Sequence, residues 1–592
     1  MSSKHQVFLS SRVFASALVG TCLGLCAASA ASYARDIAPE AATGSLKKQV
    51  VTFKRQAVAA ANPLAAEAGY RMLRLGGSAV DAMIATQLTL GLVEPQSSGL
   101  GGGAFLLVHD AAAKRLSTFD GREIAPAAAK PERFIGTDGL PFKFYDAAVG
   151  GKSVGVPGTV ATLAAAHRKH GKLPWKRLFE PAIALAEGGF PYSLRLQTQV
   201  REDNFLKSNP AARAYFYDGM GQPWPVGYLL KNPAYAATLR LIADRGPSAF
   251  YSGDIASDMV NAVRSHVNPG DMTEADLGAY QVIEREPVCG RYRDLRVCGM
   301  AAPSSGGIAV AQILALVERF PLRQWGANSA DSVHVIAEAG RLAFADRNRY
   351  LADPDFVAQP EGLLDTSYLK ARSQMIDLNK SMKRGVAGVP PGARVALADD
   401  QSLERSGTSH ISIVDRWGNA VSMTTTIENQ FGARIFVRGF LLNNELTDFS
   451  MLPQENGAAV ANRVQAGKRP RSSMAPTIVY DQRGRPVIIT GSPGGSAIIN
   501  YVAKSIVAMV DWGMSPQEAA DLPNFGSRNG PTELEQGTSL GTLRPELEKR
   551  GHTVSLIEFT SGLHILERSI TSKKGGWRGG ADPRREGSVV AD

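Results

Sequence analysis

The sequence predicts an α+β protein with antiparallel sheets stacked in layers. Helical and strand segments are grouped along the chain rather than strictly alternating, which argues against a sheet built from parallel β-α-β units. The chain has 592 residues, 44% of them hydrophobic, enough to bury a large core in one layered domain or in several smaller ones. Its 60 glycines and a charged fraction of 20% fit a globular chain with many tight turns.

The N-terminus places Lys4 and Arg12 ahead of an apolar run from Val13 to Ala28, followed by small residues. This is the three-part layout of a secretory signal peptide, expected over residues 1–34 with cleavage after Ala30 or Ala34. The alternative is an uncleaved anchor, but the Ala, Ser and Gly content makes a poor membrane span. No later segment is long and apolar enough to cross a bilayer, so the mature chain is expected to be periplasmic or secreted. The net charge of +10 comes from scattered Lys and Arg with no long basic run and no interleaved aromatics, so no nucleic-acid partner is expected.

After the signal, Asn62 is placed to cap a helix with Pro63 in its first turn, and Gly76-Gly77 ends it. Ser78 and Asp81 open a second helix that stops before Pro95. A glycine cluster then leads into the apolar strand "AFLLVHD", with "RLSTFDGREIAP" as its partner. The middle of the chain is mostly helical, as in "VATLAAAHRKHG" and "PAIALAEGGF", and is interrupted by "EPVCGRYRDLRVCGM". If Arg293-Asp294 is a two-residue turn there, Tyr292 faces Leu295. Cys289 then faces Cys298 at a non-hydrogen-bonded position, close enough for a disulfide. Loss of Cys22 and Cys26 with the signal leaves only this pair, in an oxidising compartment; the other reading is two buried thiols. Two Cys without a neighbouring His do not make a metal site. From Lys383 to Asp400 the periodicity is lost, which predicts an irregular connector. Beyond it the chain turns strand-rich, with a helix in "SAIINYVAKSIVAMVDWG".

Chemistry concentrates in "GTSHISIVDRWGNAVSMTTTI". A three-residue turn at Arg416-Trp417-Gly418 sets Asp415 opposite Asn419 and, counting outward, Thr408 opposite Thr426. One reading is a stabilising Thr–Thr cross-strand pair. The other starts from Gly407: a Gly–Thr bond at a strand start can be attacked by that Thr's own hydroxyl, because Gly tolerates strained backbone and leaves its carbonyl unhindered. Cleavage would create an N-terminal Thr whose amine serves as general base. The chain carries no convincing Ser-His-Asp pattern, since "GSPGG" has the wrong spacing for a nucleophile elbow.

In order along nearly the whole mature chain stand "GGSAVDAMIA", "EPQSSGLGGGAFLL", "DGREIAP", "VGVPGTVATL", "PSSGG", "AFADRNRYLADPDF", "GTSHISIVDRWGNAVSMTTTI", "LLNNELTDFS", "KRPRSSMAPTIV", "GSPGGS" and "GADPRREG". With these the sequence resembles the γ-glutamyltranspeptidase family, also called γ-glutamyltransferases or glutathione hydrolases. The resemblance implies a four-layer αββα N-terminal-nucleophile hydrolase sandwich, two antiparallel sheets between helix layers. It also implies a precursor cut between Gly407 and Thr408 into a large chain, 35–407, and a small chain, 408–592, that stay together as a heterodimer. The implied substrates are small γ-glutamyl compounds such as glutathione, with no cofactor and no metal.

The resemblance further implies residue roles. Thr408 is the nucleophile, and Thr426 hydrogen-bonds it, in agreement with the hairpin count. Gly494 and Gly495 present amides to the oxyanion. Arg122, with Ser472 and Ser473, takes the substrate's α-carboxylate. Asp448, with Glu445 and Glu428, takes its α-ammonium. Position 428 is Glu where many relatives carry Asn. The segment from Asp448 to Lys468 is shorter than in many bacterial relatives and lacks the aromatic that often gates the pocket, which implies a short or absent lid. Two rivals remain. A glutaryl-cephalosporin-type amide acylase has no need of so acidic a cluster, and a non-catalytic amino-acid binding protein has no need of Gly407, Thr408 and Thr426 together.

Overall fold

The computed structural model describes residues 44–393, 397–402, 405, 407–569 and 576–592. The signal segment expected over 1–34 lies outside them. Among the described residues no helix is long and apolar enough to cross a membrane.

Helix α1 runs Pro63–Arg74, with the Asn62 side chain accepting from the Leu64 amide and Pro63 in the first turn, where no intrahelical donor is lost. Helix α2, Ala79–Val93, begins at a reciprocal capping box between Ser78 and Asp81. Every residue of α2 is buried, as expected of a helix that is apolar nearly all round and has protein on all sides.

Among the described residues two seven-stranded sheets form the centre. Their strands, in chain order, are β1 (Val51–Phe53), β2 (Ala57–Ala60), β3 (Gly103–Asp110), β4 (Arg115–Gly121), β5 (Ile283–Arg285), β6 (Val288–Tyr292) and β7 (Leu295–Gly299). They continue as β8 (Thr408–Val414), β9 (Ala420–Thr426), β10 (Thr477–Tyr480), β11 (Pro486–Thr490), β12 (His564–Arg568), β13 (Trp577–Ala581) and β14 (Ser588–Ala591). One sheet has the order β14-β2-β8-β9-β3-β4-β5, the other β1-β13-β12-β11-β10-β7-β6, and all neighbours are antiparallel. Each sheet therefore mixes strands from before and after Gly407, so a break at that point leaves both sheets intact.

Helices α1, α2 and α3 (Thr159–His170) pack on the outer face of the first sheet. Helix α4 (Gly306–Val317) packs on β6 and β7 of the second, with α5 (Ala330–Tyr350) and α6 (Ile498–Val510) against it. The inner faces meet: Ser412 Oγ donates to the His564 carbonyl at 2.8 Å, and Ser422 Oγ donates to that of Thr490 at 3.0 Å. The layer order is helix, sheet, sheet, helix, the α+β sandwich that the sequence predicts.

The β8–β9 hairpin has the counted register, Thr408 opposite Thr426 through Val414 opposite Ala420. Period-two alternation sends Ile411, Ile413, Val421 and Met423 into the core shared with α2 and leaves Thr408, His410, Ser412, Ser422, Thr424 and Thr426 facing the second sheet. The β6–β7 hairpin pairs Tyr292 with Leu295 and Cys289 with Cys298, and the two cysteines are joined by a disulfide. Arg293, in its turn, has φ 53° and donates through Nε to Asp511 at 3.0 Å. No helix or strand is described between Gln374 and Thr408, where the sequence predicts an irregular connector.

Candidate active site

Thr408 opens the central strand β8 and Thr426 closes β9, so the register alone brings their side chains together. Thr426 Oγ1 donates to the Gly407 carbonyl at 2.8 Å and accepts from the Glu428 amide at 2.8 Å. A hydroxyl has one proton, and that of Thr426 is used on Gly407. In the 3.3 Å contact between the two hydroxyls Thr408 is therefore the donor. The Thr408 oxygen is thus polarised beside a carbonyl that is itself polarised. Both threonines are buried.

Gly407 is needed here for a reason beyond those read from the sequence. Its φ is not left-handed, but a Cβ would overlap the Glu428 carbonyl oxygen and stand 2.5 Å from the Asn429 carbonyl carbon. The demand is for space rather than strained backbone. The left-handed residue is Glu428, at φ 72°, which folds the chain back under Gly407.

The other site residues expected from the sequence, Gly494 apart, converge on the same pocket: Arg122, Glu428, Glu445, Asp448, Ser472, Ser473 and Gly495 line it with Thr408 and Thr426. Arg122 follows β4. Its Nη1 donates to Glu445, its Nη2 to Asp448 at 2.5 Å and to the Arg471 carbonyl at 2.8 Å, and its Nε to the Pro470 carbonyl at 3.1 Å. Cationic and anionic parts of the pocket, read from the sequence as separate subsites, are thus paired with each other. Burial opposes the charge on Arg122, but Glu445, Asp448 and Glu123 outweigh it and hold its pKa above the ordinary arginine value. Burial pushes the Glu445 carboxyl well above the usual range against the pull of Arg122, and it raises Glu428 likewise. Glu428 accepts from the Asn444 side chain and from the Arg405 amide at 3.1 Å.

Ser473 Oγ accepts from Arg347 Nη2 at 2.8 Å, and Ser472 Oγ accepts from the Met474 amide at 3.1 Å. Gly494 and Gly495 stand at φ 135° and 56° at the start of the turn that leads into α6. A Cβ on Gly494 would meet the Tyr501 ring at 2.5 Å. The segment after Asp448 folds into a small hairpin, Gln454–Glu455 against Ala458–Ala459.

Other residues at the site are not singled out in the sequence. Glu123 is fully buried, its Oε2 3.8 Å from Arg122 Nη1, and burial pushes its pKa up to about 7. Its place beside Arg122 in "DGREIAP" was the available signal. His410 is held by two partners that fix its tautomer. Ser412 spends its proton on His564, so His410 Nε2 donates to Ser412 at 3.0 Å, and His410 Nδ1 accepts from Thr424 at 2.9 Å. Burial, then the neighbouring His564, holds the His410 pKa well below the ordinary value, so the ring is neutral. A Cβ on Gly491 would overlap this ring, so His410 spaces β8 from the "GSPGGS" loop.

Away from the pocket, His334, Glu338 and His552 approach within metal-ligand reach, but their ligand atoms are already used. His334 bonds the Asp377 carbonyl and His552, and His552 bonds Thr532. Glu338 accepts from Arg341, Ser381 and the Met382 amide.

Comparison with known proteins agrees with this geometry. The family model for gamma-glutamyltranspeptidase matches residues 65–592. The glutathione hydrolase proenzyme of Bacillus subtilis (strain 168) is 37% identical over 553 residues, 92% of each chain. Among solved structures, cephalosporin acylase from Bacillus halodurans is similar with a TM-score of 0.78 at 26% identity, covering 94% of this chain and 99% of that one. Helicobacter pylori gamma-glutamyltranspeptidase is similar with a TM-score of 0.53 at 32% identity, covering 57% of this chain and 95% of that one. By sequence along almost its whole length and by fold, this chain belongs to the γ-glutamyltranspeptidase family.

Proposed function

We propose that Thr408 acts as nucleophile twice, first on its own chain and then on γ-glutamyl amides. The enzyme is a γ-glutamyltransferase and glutathione hydrolase. It passes the γ-glutamyl group of glutathione and related compounds to water or to an amino acid through a γ-glutamyl-threonyl ester. The observation that carries the reading is one pocket holding Thr408 together with the Arg122 guanidinium, a second arginine, Arg405, and three carboxylates, a match for an amino acid's two charged ends.

In the first reaction the Thr408 oxygen attacks the Gly407 carbonyl carbon, and Thr426 supports the developing oxyanion through the hydrogen bond it already makes. The C–N bond breaks, the nitrogen takes the hydroxyl's proton, and the resulting ester is hydrolysed by water. A large chain ending at Gly407 and a small chain beginning at Thr408 remain as a heterodimer. In turnover the freed Thr408 amine takes the hydroxyl proton during attack on the γ-carbonyl and delivers it to the leaving amine. Gly494 and Gly495 are assigned to the oxyanion, and Arg122, Ser472 and Ser473 to the α-carboxylate. Asp448, Glu445 and Glu428 are assigned to the α-ammonium. Docking exchanges ion pairs rather than stranding charges: the substrate's carboxylate replaces Glu445 and Asp448 on Arg122, and its ammonium takes those carboxylates. The signal layout and the Cys289–Cys298 pair support a periplasmic or secreted location.

Gly407→Ala tests the first reaction. A methyl group placed against the Glu428 carbonyl displaces the Gly407 carbonyl from Thr426. An overpacking cost of about 1–3 kcal/mol should slow self-cleavage about 10- to 100-fold, read as persistence of the uncut chain on a denaturing gel. Cleavage at the wild-type rate would show that the contact is irrelevant.

The similarity to a cephalosporin acylase makes amide acylase activity the second reading. Glutaryl substrates lack the α-ammonium and would leave buried carboxylates unpaired. The ratio of kcat/KM for γ-glutamyl-p-nitroanilide over glutaryl-p-nitroanilide should therefore be about 100-fold or more. Preference for the glutaryl compound would overturn the assignment of Asp448, Glu445 and Glu428.

A further inference from the structure

Glu123 has no part in the reading above, yet it is fully buried behind the Arg122 and Glu445 side chains that line the pocket. No N–H or hydroxyl group donates to either of its buried oxygens; its carboxyl group lies within hydrogen-bond reach of that of Glu445, and a Cβ on Gly103 would overlap its carboxylate while one on Gly155 would press on its own Cβ. Two glycines thus make room for a carboxyl group where an apolar side chain would be less costly. It shares one guanidinium nitrogen with Glu445: Arg122 Nη1 donates to Glu445 and stands 3.8 Å from Glu123. The groups facing it are Arg122 on its own segment, Glu445 and Asp448 from the turn at 445–448, and the phenols Tyr251 and Tyr280 from the helical region. Burial pushes both phenols up, so they remain neutral, and Glu428 acts on the pair through Glu445. Arg405 and Arg434 act on Glu428, which leaves the Arg122 guanidinium to face Glu123, Glu445 and Asp448, and one guanidinium cannot hold these three ionised in a site closed to water.

We propose that Glu123 is a positioning residue that shares one proton with Glu445 and takes that proton over when the substrate's α-ammonium docks, so that Glu445 meets the ammonium as a carboxylate. The inference rests on the γ-glutamyl reading of this pocket. Both ends of the substrate drive the transfer in the same direction. The incoming α-carboxylate at Arg122 disfavours a second anion on Glu123, and the ammonium favours an anion on Glu445. In the free enzyme the two groups titrate as a pair. Burial, against the pull of Arg122, raises Glu123 to about 7 and raises Glu445 as well, and the two carboxyl groups lie within hydrogen-bond reach of each other, so the pair keeps one proton in the neutral range and gains a second below it. The doubly protonated pair must release a proton to solvent before it can bind. With only the competent fraction binding, KM should rise by up to about tenfold between pH 8.5 and pH 6.

The test is KM for γ-glutamyl-p-nitroanilide at those two pH values in the mature enzyme and in Glu123→Gln. Glutamine mimics protonated Glu123 and removes the anion that holds the proton on Glu445. The ratio of KM at pH 6 to KM at pH 8.5 should fall from about ten to near one. The same ratio in both proteins would overturn the proposal, whereas a merely structural role would shift KM equally at both pH values. A second measurement needs no variant: calorimetry of the wild-type enzyme with L-norleucine, which has both α-groups but nothing for Thr408 to attack, in buffers of different ionisation heat. Release of up to about one proton on binding at pH 6 and almost none at pH 8.5 is expected; equal counts at both would overturn the proposal. A wild-type enzyme that binds norleucine with this proton release but turns over no γ-glutamyl compound would instead reject the catalytic reading and leave the proton pair standing.

Discussion

Thr408→Ala should yield a single uncut chain with no measurable γ-glutamyl transfer, a loss of about 10^4-fold or more in kcat. Both losses have one cause, because the oxygen removed is the attacking atom in self-cleavage and in turnover. The substitution itself is mild for the fold. It deletes a hydroxyl and a methyl at the open end of a paired strand, and Thr426 keeps its bonds to the Gly407 carbonyl and the Glu428 amide. A denaturing gel and a γ-glutamyl-p-nitroanilide assay on the same preparation read the two losses together. A cut chain, or an active uncut one, would separate the two reactions and require a second nucleophile. Thr408→Ser, which keeps the oxygen, should restore both in part.

Arg122→Ala is expected to have the next largest effect. It removes the cation that bonds Glu445 and Asp448 and leaves these carboxylates buried without it. Breaking a buried pair in this way costs about 3–5 kcal/mol of stability. KM for γ-glutamyl substrates should rise about 100-fold or more, since the α-carboxylate loses its partner. The two effects differ in their pH course. Buried carboxyls whose folded pKa is raised bind protons more tightly in the folded than in the unfolded state, so the variant's stability falls as pH rises. The stability deficit should therefore be greatest above neutral pH and shrink as the pH is lowered and Glu445 and Glu123 take up protons, while the defect in KM persists. Denaturation midpoints of wild type and variant at pH 5.5 and pH 8.5 check this; a deficit that grows toward acid would contradict the buried-carboxylate account.

The parts of this site that were legible in the sequence are those set by local rules. The Thr408–Thr426 pairing follows from one turn and a period of two, and the Cys289–Cys298 pairing follows from the same kind of count. The Ser78–Asp81 capping box needs only four residues. What was not legible depends on distant segments meeting. Arg122 and Glu445 are 323 residues apart, and nothing in either stretch says that the guanidinium rests on the acids instead of standing open for a ligand. For Gly407 the sequence offers conformational freedom and an unhindered carbonyl; the demand for space set by the backbone of Glu428 and Asn429 passing beneath it appears only in the fold. His410 read as part of a strand because the residue that gives its ring room, Gly491, lies on the other sheet's side of the interface. Glu123 is silent in the sequence for the same reason: its partner is a carboxyl group that only the folded chain brings to it.

The measurement that tests the central claim most directly is the intact mass of both chains of the purified mature enzyme, together with N-terminal sequencing of the smaller. The account predicts a small chain that begins with an unblocked Thr408 and a large chain that ends at Gly407. An active enzyme that remains one chain, or a small chain that begins at any other residue, would contradict it.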